Sequence, residues 1–568
     1  MLNYESKVRA SVPEGADKKG AYLIGGGIAS LAAAAFMIRD GGMNGKNIHV
    51  LEKWNLPGGS LDGAGNAEDG YVCRGGREME DAFECTWDLL STIKSLENPD
   101  MSVLEEFRML NMKDPSDSAC RVVEKCGQNA HMETLGLSKK NIKEIGKLVL
   151  AKEEDLGDMT IEQYFSASML KTNFWLFWAT MFAFEPWHRV GEMKRYFERF
   201  MHLFGGINKL KKIRFSKYNQ YESLVLPIMA YLTEHGVDFQ YGIEVTDFDF
   251  TGENGKKYAS RIHAVRDGKD VSIDVTSDDM VLFTNGSMTQ NSTLGSMKEA
   301  PVMDTAIKGC FAVWRKLAAK DTVFGNPEPF ISYPEKSNWE SFTITCYDDR
   351  IPDLVKKITG RDPHSGKIIT GGPLTMKDSS WLLTLTISRQ PHFRNQPKNV
   401  IVIWAYGLFS NVKGDFIKKT MRECSGEELV SELLYHLGAA PSSISDMAKS
   451  CKVIPVMMPF ITSMFMPFKK GDRPDVLPKG YTNFALLGQF ADLPFDTVFT
   501  VEYSIRTAMV AVYSLLKLDR QVPEVYPTRY DTRVLADSVN IAFEGRRIPF
   551  GWLIKKLLKK TQYEGWIK

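Results

Sequence analysis

Between residues 21 and 52 the chain runs from a short apolar stretch, Ala21-Tyr-Leu-Ile, into Gly25-x-Gly27-x-x-Ser30. An Ala/Leu-rich segment follows at 28–39, ends at Gly41-Gly42, and leads to Asn47-Ile-His-Val-Leu-Glu52. No other feature constrains the fold so tightly. Strand, glycine turn, helix, second strand and terminal acid form a βαβ unit of about thirty residues. Each residue has a task. Gly25 permits the tight turn, Gly27 lets backbone approach a pyrophosphate, and Ser30 is small enough for the helix to pack on the strand. The helix N-terminus offers free N–H groups and a positive dipole end to phosphates. Glu52 can accept both ribose hydroxyls, which favours an unphosphorylated ribose. The unit predicts dinucleotide binding; the bland alternative is a glycine-rich turn in an ordinary α/β fold. Residues 21–38 also form an eighteen-residue stretch without charge, but three glycines near its start suit a turn better than a membrane span.

With 71 Lys+Arg against 70 Asp+Glu, the chain is no globally basic nucleic-acid binder. Eight cysteines in 568 residues, with no C-x-x-C pair, read as reduced thiols, with neither a disulfide scaffold nor a metal site. The polar N-terminus lacks the apolar core of a signal peptide, so a cytoplasmic location is expected.

Beyond Glu52 come Pro57-Gly58-Gly59-Ser60 and Arg74-Gly75-Gly76-Arg77, loops that let backbone reach a second phosphate and a flavin edge. Thr284-Asn-Gly286-Ser287 resembles the strand-end turn of two-dinucleotide-binding-domain flavoproteins. The strand ending at Gly488, with a helix from about 501 to 518, resembles their second flavin-contacting segment. These resemblances point to FAD in an α/β, Rossmann-like domain of amine-oxidase-like type, with a discontinuous α+β substrate domain and a helical C-terminal extension. The expected division is 1–100, 211–300 and 471–520 for the FAD-binding parts, 101–210 for a mainly helical lid region, 301–470 for the substrate domain, and 521–568 for the tail.

The motif Arg74-Gly-Gly-Arg-Glu78-Met79 resembles the oleate hydratase family, also called myosin-cross-reactive antigen. So do Ser60-Leu-Asp-Gly63, Trp178-Ala-Thr-Met-Phe-Ala-Phe184, Met193-Lys-Arg-Tyr196, Tyr218-Asn-Gln-Tyr221 and Arg389-Gln-Pro-His-Phe393. The resemblance covers nearly the whole chain. It implies an FAD-dependent enzyme that adds water across the cis-9 double bond of free unsaturated fatty acids such as oleate, linoleate and palmitoleate, giving 10-hydroxy products. It further implies a homodimer, Glu78 as the water-activating carboxylate, Tyr196 as the proton donor, and Val245 among the cofactor contacts. Gln220, Thr386, Ser388 and His392 are implied as anchors for the fatty carboxylate.

Chemistry makes those roles demanding. An isolated alkene is a poor base, so hydration needs a positioned acid and base in a water-restricted pocket. A phenol donates to carbon only where its phenolate is stabilised, so a neighbouring cation such as Arg195 is expected beside Tyr196. On the residues alone, Glu78 reads equally as an ion-pair partner of Arg74 or Arg77, Tyr196 as a core tyrosine, and His392 as structural. The run 173–184 reads as either an acyl channel or plain aromatic core. A flavin oxidoreductase and a non-catalytic lipid-binding flavoprotein remain open alternatives. From Phe550, apolar residues at 550, 553, 554, 557 and 558 alternate with lysines at 555, 556, 559 and 560, flanked by Trp552 and Trp566. That pattern predicts a helix lying on an anionic membrane surface, or one docked on the protein itself.

Overall fold

The computed structural model describes residues 10–544, apart from 62 and 254. Its base is a five-stranded parallel sheet in the order Phe484–Leu487, Met280–Thr284, Ala21–Ile24, Ile48–Glu52, Asp238–Tyr241. Helix Ile28–Arg39 crosses between the Ala21–Ile24 and Ile48–Glu52 strands and is buried from Ile28 through Met37. Its run of four alanines follows from that burial. The helix lies close to Val501–Leu515, and larger side chains would hold the two axes apart.

A three-stranded antiparallel sheet, Ile243–Glu253, Lys256–Arg266 and Lys269–Asp274, stands beside this base. The turn at Asp267-Gly268 has positive φ at both residues, 51° and 73°, as a tight hairpin requires.

The second layer is a mixed eight-stranded sheet. It runs Thr293–Leu294, Cys451–Met458, Trp339–Cys346, Ile401–Gly407, Thr384–Thr386, Leu374–Met376, Val122–Glu124, Gln128–Asn129. Two of its strands come from the region expected to be mainly helical. They are too short to show periodicity, and Val122–Glu124 pairs with Leu374–Met376 far along the chain. Helices Asn173–Phe182 and Val190–Phe200 both contribute side chains to the cavity described below. None of the eight cysteines forms a disulfide. Asp415, Glu432 and His436 cluster, but the Glu432 carboxylate already accepts backbone N–H groups of residues 415, 416 and 417, so the group braces a loop. Among the described residues, no helix is long and apolar enough to cross a membrane. The basic amphipathic segment at 548–568 lies outside the described residues; the last described helix is Thr532–Phe543.

Candidate active site

The glycine motifs converge on one cradle. Gly25 has φ +97° and donates its N–H to Leu51 O at 2.9 Å. Gly58 N–H reaches Gly26 O at 2.8 Å, and a Cβ on Gly59 would stand 3.1 Å from Gly27 Cα. The two glycine turns thus touch backbone to backbone, which only glycine allows here. Glu52 closes the loop by accepting from Gly26 N at 2.6 Å and Trp54 N at 2.8 Å. Gly286 and Gly488 lie at the ends of neighbouring strands. A Cβ on Gly286 would strike the Phe490 ring, and Gly488 has φ +89°. Val245 is buried on the adjoining small sheet.

Three buried oxygens at or beside the cradle, Ser30 Oγ, Thr284 Oγ1 and Asn285 Oδ1, have no hydrogen-bond partner. Buried polar atoms are seldom left so. Together with the open glycine backbone, they fit a polar dinucleotide. Ser60 Oγ reaches Thr289 Oγ1 at 3.0 Å and Ser287 Oγ at 3.4 Å, which ties the second glycine turn to the strand-end turn.

From the cradle, Leu61 and the Arg74–Arg77 loop lead into a cavity of about 120 Å³. Arg77 donates to Ser60 O, and Arg74 Nη1 to Ser292 Oγ at 3.1 Å. Gly76 lies so close to Trp404 that a Cβ would meet the ring at 2.8 Å. Glu78 and Tyr196 both line this cavity, as do Gln220, Thr386, Phe182, Phe200, Trp339 and Tyr406. Ser388 and His392 are not among its lining residues. The His392 carbonyl accepts from Asn219, next to Gln220. Burial pushes the His392 imidazole down to about 4, so it is neutral at pH 7 and offers a hydrogen bond rather than a charge.

Burial pushes the Glu78 carboxyl up to about 7, against the opposing fields of Arg121 and Arg77. Although half-buried by area, because it faces the cavity, its surroundings are protein rather than bulk water. A carboxyl so poised can take a proton at neutral pH. Backbone bonds between Met79 and Arg214, at 3.0 and 2.8 Å, fix the segment that carries it.

Tyr196 is fully buried on helix Val190–Phe200, its ring caged by Phe182, Phe184 and Phe465, with its hydroxyl donating to Val498 O. The expected cation is absent from its side. Arg195 instead pairs with Glu153 at 2.9 Å and Asp492 at 3.1 Å. Burial, Glu192 and Asp496 together raise the phenol well above its ordinary value, and Arg473 only partly offsets them. The reason is helical geometry: residues 195 and 196 point about 100° apart, so adjacency in sequence does not bring the guanidinium to the phenol. Tyr196 therefore holds its proton through the whole physiological range.

The aromatic run divides. Phe174, Phe177 and Trp178 are buried in the core, while Thr180, Met181, Phe182 and Ala183 line the cavity. The expected flavin-side helix also has another duty. Glu502 caps helix Glu84–Leu90 through Cys85 N and Thr86 N, and Arg506 bonds Glu84, Asp496 and Glu502 at 2.8–2.9 Å. Arg121, Trp404 and Tyr406 were not singled out from sequence. No local spacing marks Arg121, and Trp404 and Tyr406, two apart on strand Ile401–Gly407 and stacked at 5.0 Å, read as an ordinary core pair.

The MCRA family model matches residues 18–513. Over 567 residues the chain is 46% identical to an oleate hydratase of Streptococcus pyogenes serotype M49 (strain NZ131), covering 98% of this chain and 96% of that protein. It is 29% identical over 531 residues to a linoleate hydratase of Lactiplantibacillus plantarum, covering 87% and 93%. Among solved structures, a putrescine oxidase redesigned in its cofactor binding superposes with TM-score 0.51 at 11% identity, covering 88% of this chain and 99% of that one. That likeness concerns the fold. A family match over most of the length and a full-length relative at this identity agree: the chain belongs to the MCRA family.

Proposed function

We propose that this protein hydrates the cis-9 double bond of free unsaturated fatty acids such as oleate, linoleate and palmitoleate, yielding 10-hydroxy acids. The observation that carries this reading is one cavity that brings together a carboxyl poised near neutrality and a buried phenol between walls that are otherwise largely apolar. The similarity to a full-length oleate hydratase supports the substrate class.

The residues divide the work. The Tyr196 hydroxyl turns from Val498 O and gives its proton to C9. Water attacks C10 as Glu78 takes a water proton, so the alkene gains H and OH. Transfer of that proton from Glu78 back to Tyr196 through water restores both groups. Gln220 and Thr386 offer hydrogen bonds to the fatty carboxylate, and His392, tied to the Gln220 segment, is proposed to complete that end together with Ser388. Phe182, Phe200 and Trp339 exclude bulk water from the reacting carbons.

FAD is proposed to occupy the cradle of Gly25, Gly27, Ser30, Glu52, Gly58, Gly59, Ser60, Thr284, Gly286, Ser287 and Gly488, with Arg74, Gly75, Gly76 and Arg77 at its flavin end. Because hydration moves no electrons overall, bound flavin supplies order and an electrostatic surface beside the site rather than oxidation.

The test is mass spectrometry of oleate incubated with the holo-protein in heavy-oxygen water. The expected product is oleate plus one labelled water, with the label at C10. A product two mass units lighter than oleate, or unchanged oleate, would overturn the reading. The basic segment at 548–568 is proposed to bind anionic lipid. Its deletion should abolish sedimentation with phosphatidylglycerol vesicles while activity on micellar oleate persists, and unchanged sedimentation would reject it.

A further inference from the structure

Arg121 stands at the start of strand Val122–Glu124, its own carbonyl bonded to Thr375 N at 3.0 Å, and it is buried. Its guanidinium donates only to backbone, to Pro373 O and to Phe177 O at 3.5 Å, and lies 5.4 Å from the centre of the Phe177 ring. Its Nε has no partner. Among the described residues no carboxylate lies within ion-pair distance of it. A buried cation without a counter-charge is costly, so an anion should answer it nearby.

Three titratable groups face Arg121: Glu78, Tyr406 and Cys120. The Tyr406 hydroxyl donates to Thr180 O, and burial holds the phenol well above its ordinary value. The Cys120 thiol donates to Val122 O at 3.2 Å and is pushed up to about 11 by burial. Both are neutral at pH 7. Only Glu78 can be the anion.

The loop at 371–373 connects the two. Gly371 and Gly372 have φ +71° and +120°. A Cβ on Gly372 would stand 3.9 Å from Glu78 Oε1, and the next residue, Pro373, holds the guanidinium through its carbonyl. One short loop thus brings bare glycine backbone to the carboxyl and, at its next residue, holds the cation.

We propose that Arg121 is the positioning residue that supplies the counter-charge of Glu78 through the Gly371–Gly372–Pro373 loop and so sets the pH range in which Glu78 can act as base. This rests on the assignment of Glu78 as the base of a hydratase. Arg77, on the same loop as Glu78, is the other cation whose field reaches it. Tyr406 contributes no charge.

The test compares wild-type holoenzyme with Arg121→Met, which keeps an unbranched buried chain without charge, and with Arg121→Lys. Removing a cation raises a carboxyl pKa, by about 1–3 units for charges a few ångströms apart. The acid limb of kcat/KM for Arg121→Met should therefore move up by at least about one pH unit. Activity at pH 6 should fall about tenfold or more, and the loss should shrink steadily as pH rises past the displaced limb. Arg121→Lys should keep the limb near its wild-type position.

Infrared difference spectra of each protein against its Glu78→Gln partner read the carboxylate band of Glu78 without turnover, and should show the same shift. Where Arg121→Met fails to fold, Arg121→Gln, which keeps a donor for Pro373 O, takes its place in both measurements. Superimposable limbs and superimposable carboxylate titrations would overturn the proposal. Wild-type protein that hydrates nothing would sink the hydratase reading instead, while the infrared titration would still decide whether Arg121 answers Glu78.

Discussion

Glu78→Gln is expected to lower kcat for oleate hydration by about 10²–10⁴-fold while flavin content and oleate binding persist. The amide keeps the shape and the hydrogen bonds of the carboxyl but cannot take a proton from water. In the wild type the carboxyl, held at about 7, gives kcat/KM an acid limb near neutrality, and that limb should be missing from the residual rate of the variant. Stability should move the other way. Burial favours the neutral acid in the folded protein, whereas the unfolded chain releases this proton near 4.5. The contribution is fully present below about 4.5 and is lost as pH rises through 7, on the order of 3 kcal/mol. Glu78→Gln should consequently raise Tm at pH 8 and leave it nearly unchanged at pH 4. A variant with wild-type kcat at pH 8, or with a lower Tm there, would remove Glu78 from the proposed role.

Tyr196→Phe is expected to lower kcat by about 10²–10³-fold with little change in KM. The caged ring keeps its volume, so packing against Phe182, Phe184 and Phe465 survives. The Val498 carbonyl loses its phenol donor, at a cost of about 1–3 kcal/mol in stability. Since burial, with Glu192 and Asp496, keeps the phenol protonated beyond its ordinary range, this residue should give the wild type no alkaline limb below about pH 10. Steady-state kinetics from pH 5 to 10, with Tm measured on the same samples, checks both statements. Turnover within threefold of wild type would assign the proton to another group, and Tyr406 on the same cavity wall would be the next to substitute.

Local pattern carried the reading of the dinucleotide unit well. The helix expected at 28–39 has those bounds, and the second strand differs by one residue, because the turn, the apolar strands and the small-residue helix all lie within a single continuous stretch. The short strands Val122–Glu124 and Gln128–Asn129 were not legible for the opposite reason. Three residues carry no period, and the first is a strand only because Leu374–Met376 lies beside it. Glu78 could be singled out because it follows a glycine loop with a recognisable shape. Arg121, which is held by Pro373 in a loop far along the chain, could not.

Sequence by itself determined the kind of fold and the glycine turns and singled out the two side chains proposed for the chemistry, since these depend on residue type at short spacing and on a family pattern spread over the chain. Only the tertiary structure decided what those side chains are chemically. Whether Glu78 is ionised, which cation answers it, and why Arg195 does not serve Tyr196 all depend on burial and on charges from remote segments. Electrostatic energy follows distance through space and the surrounding dielectric, and neither is written in residue order.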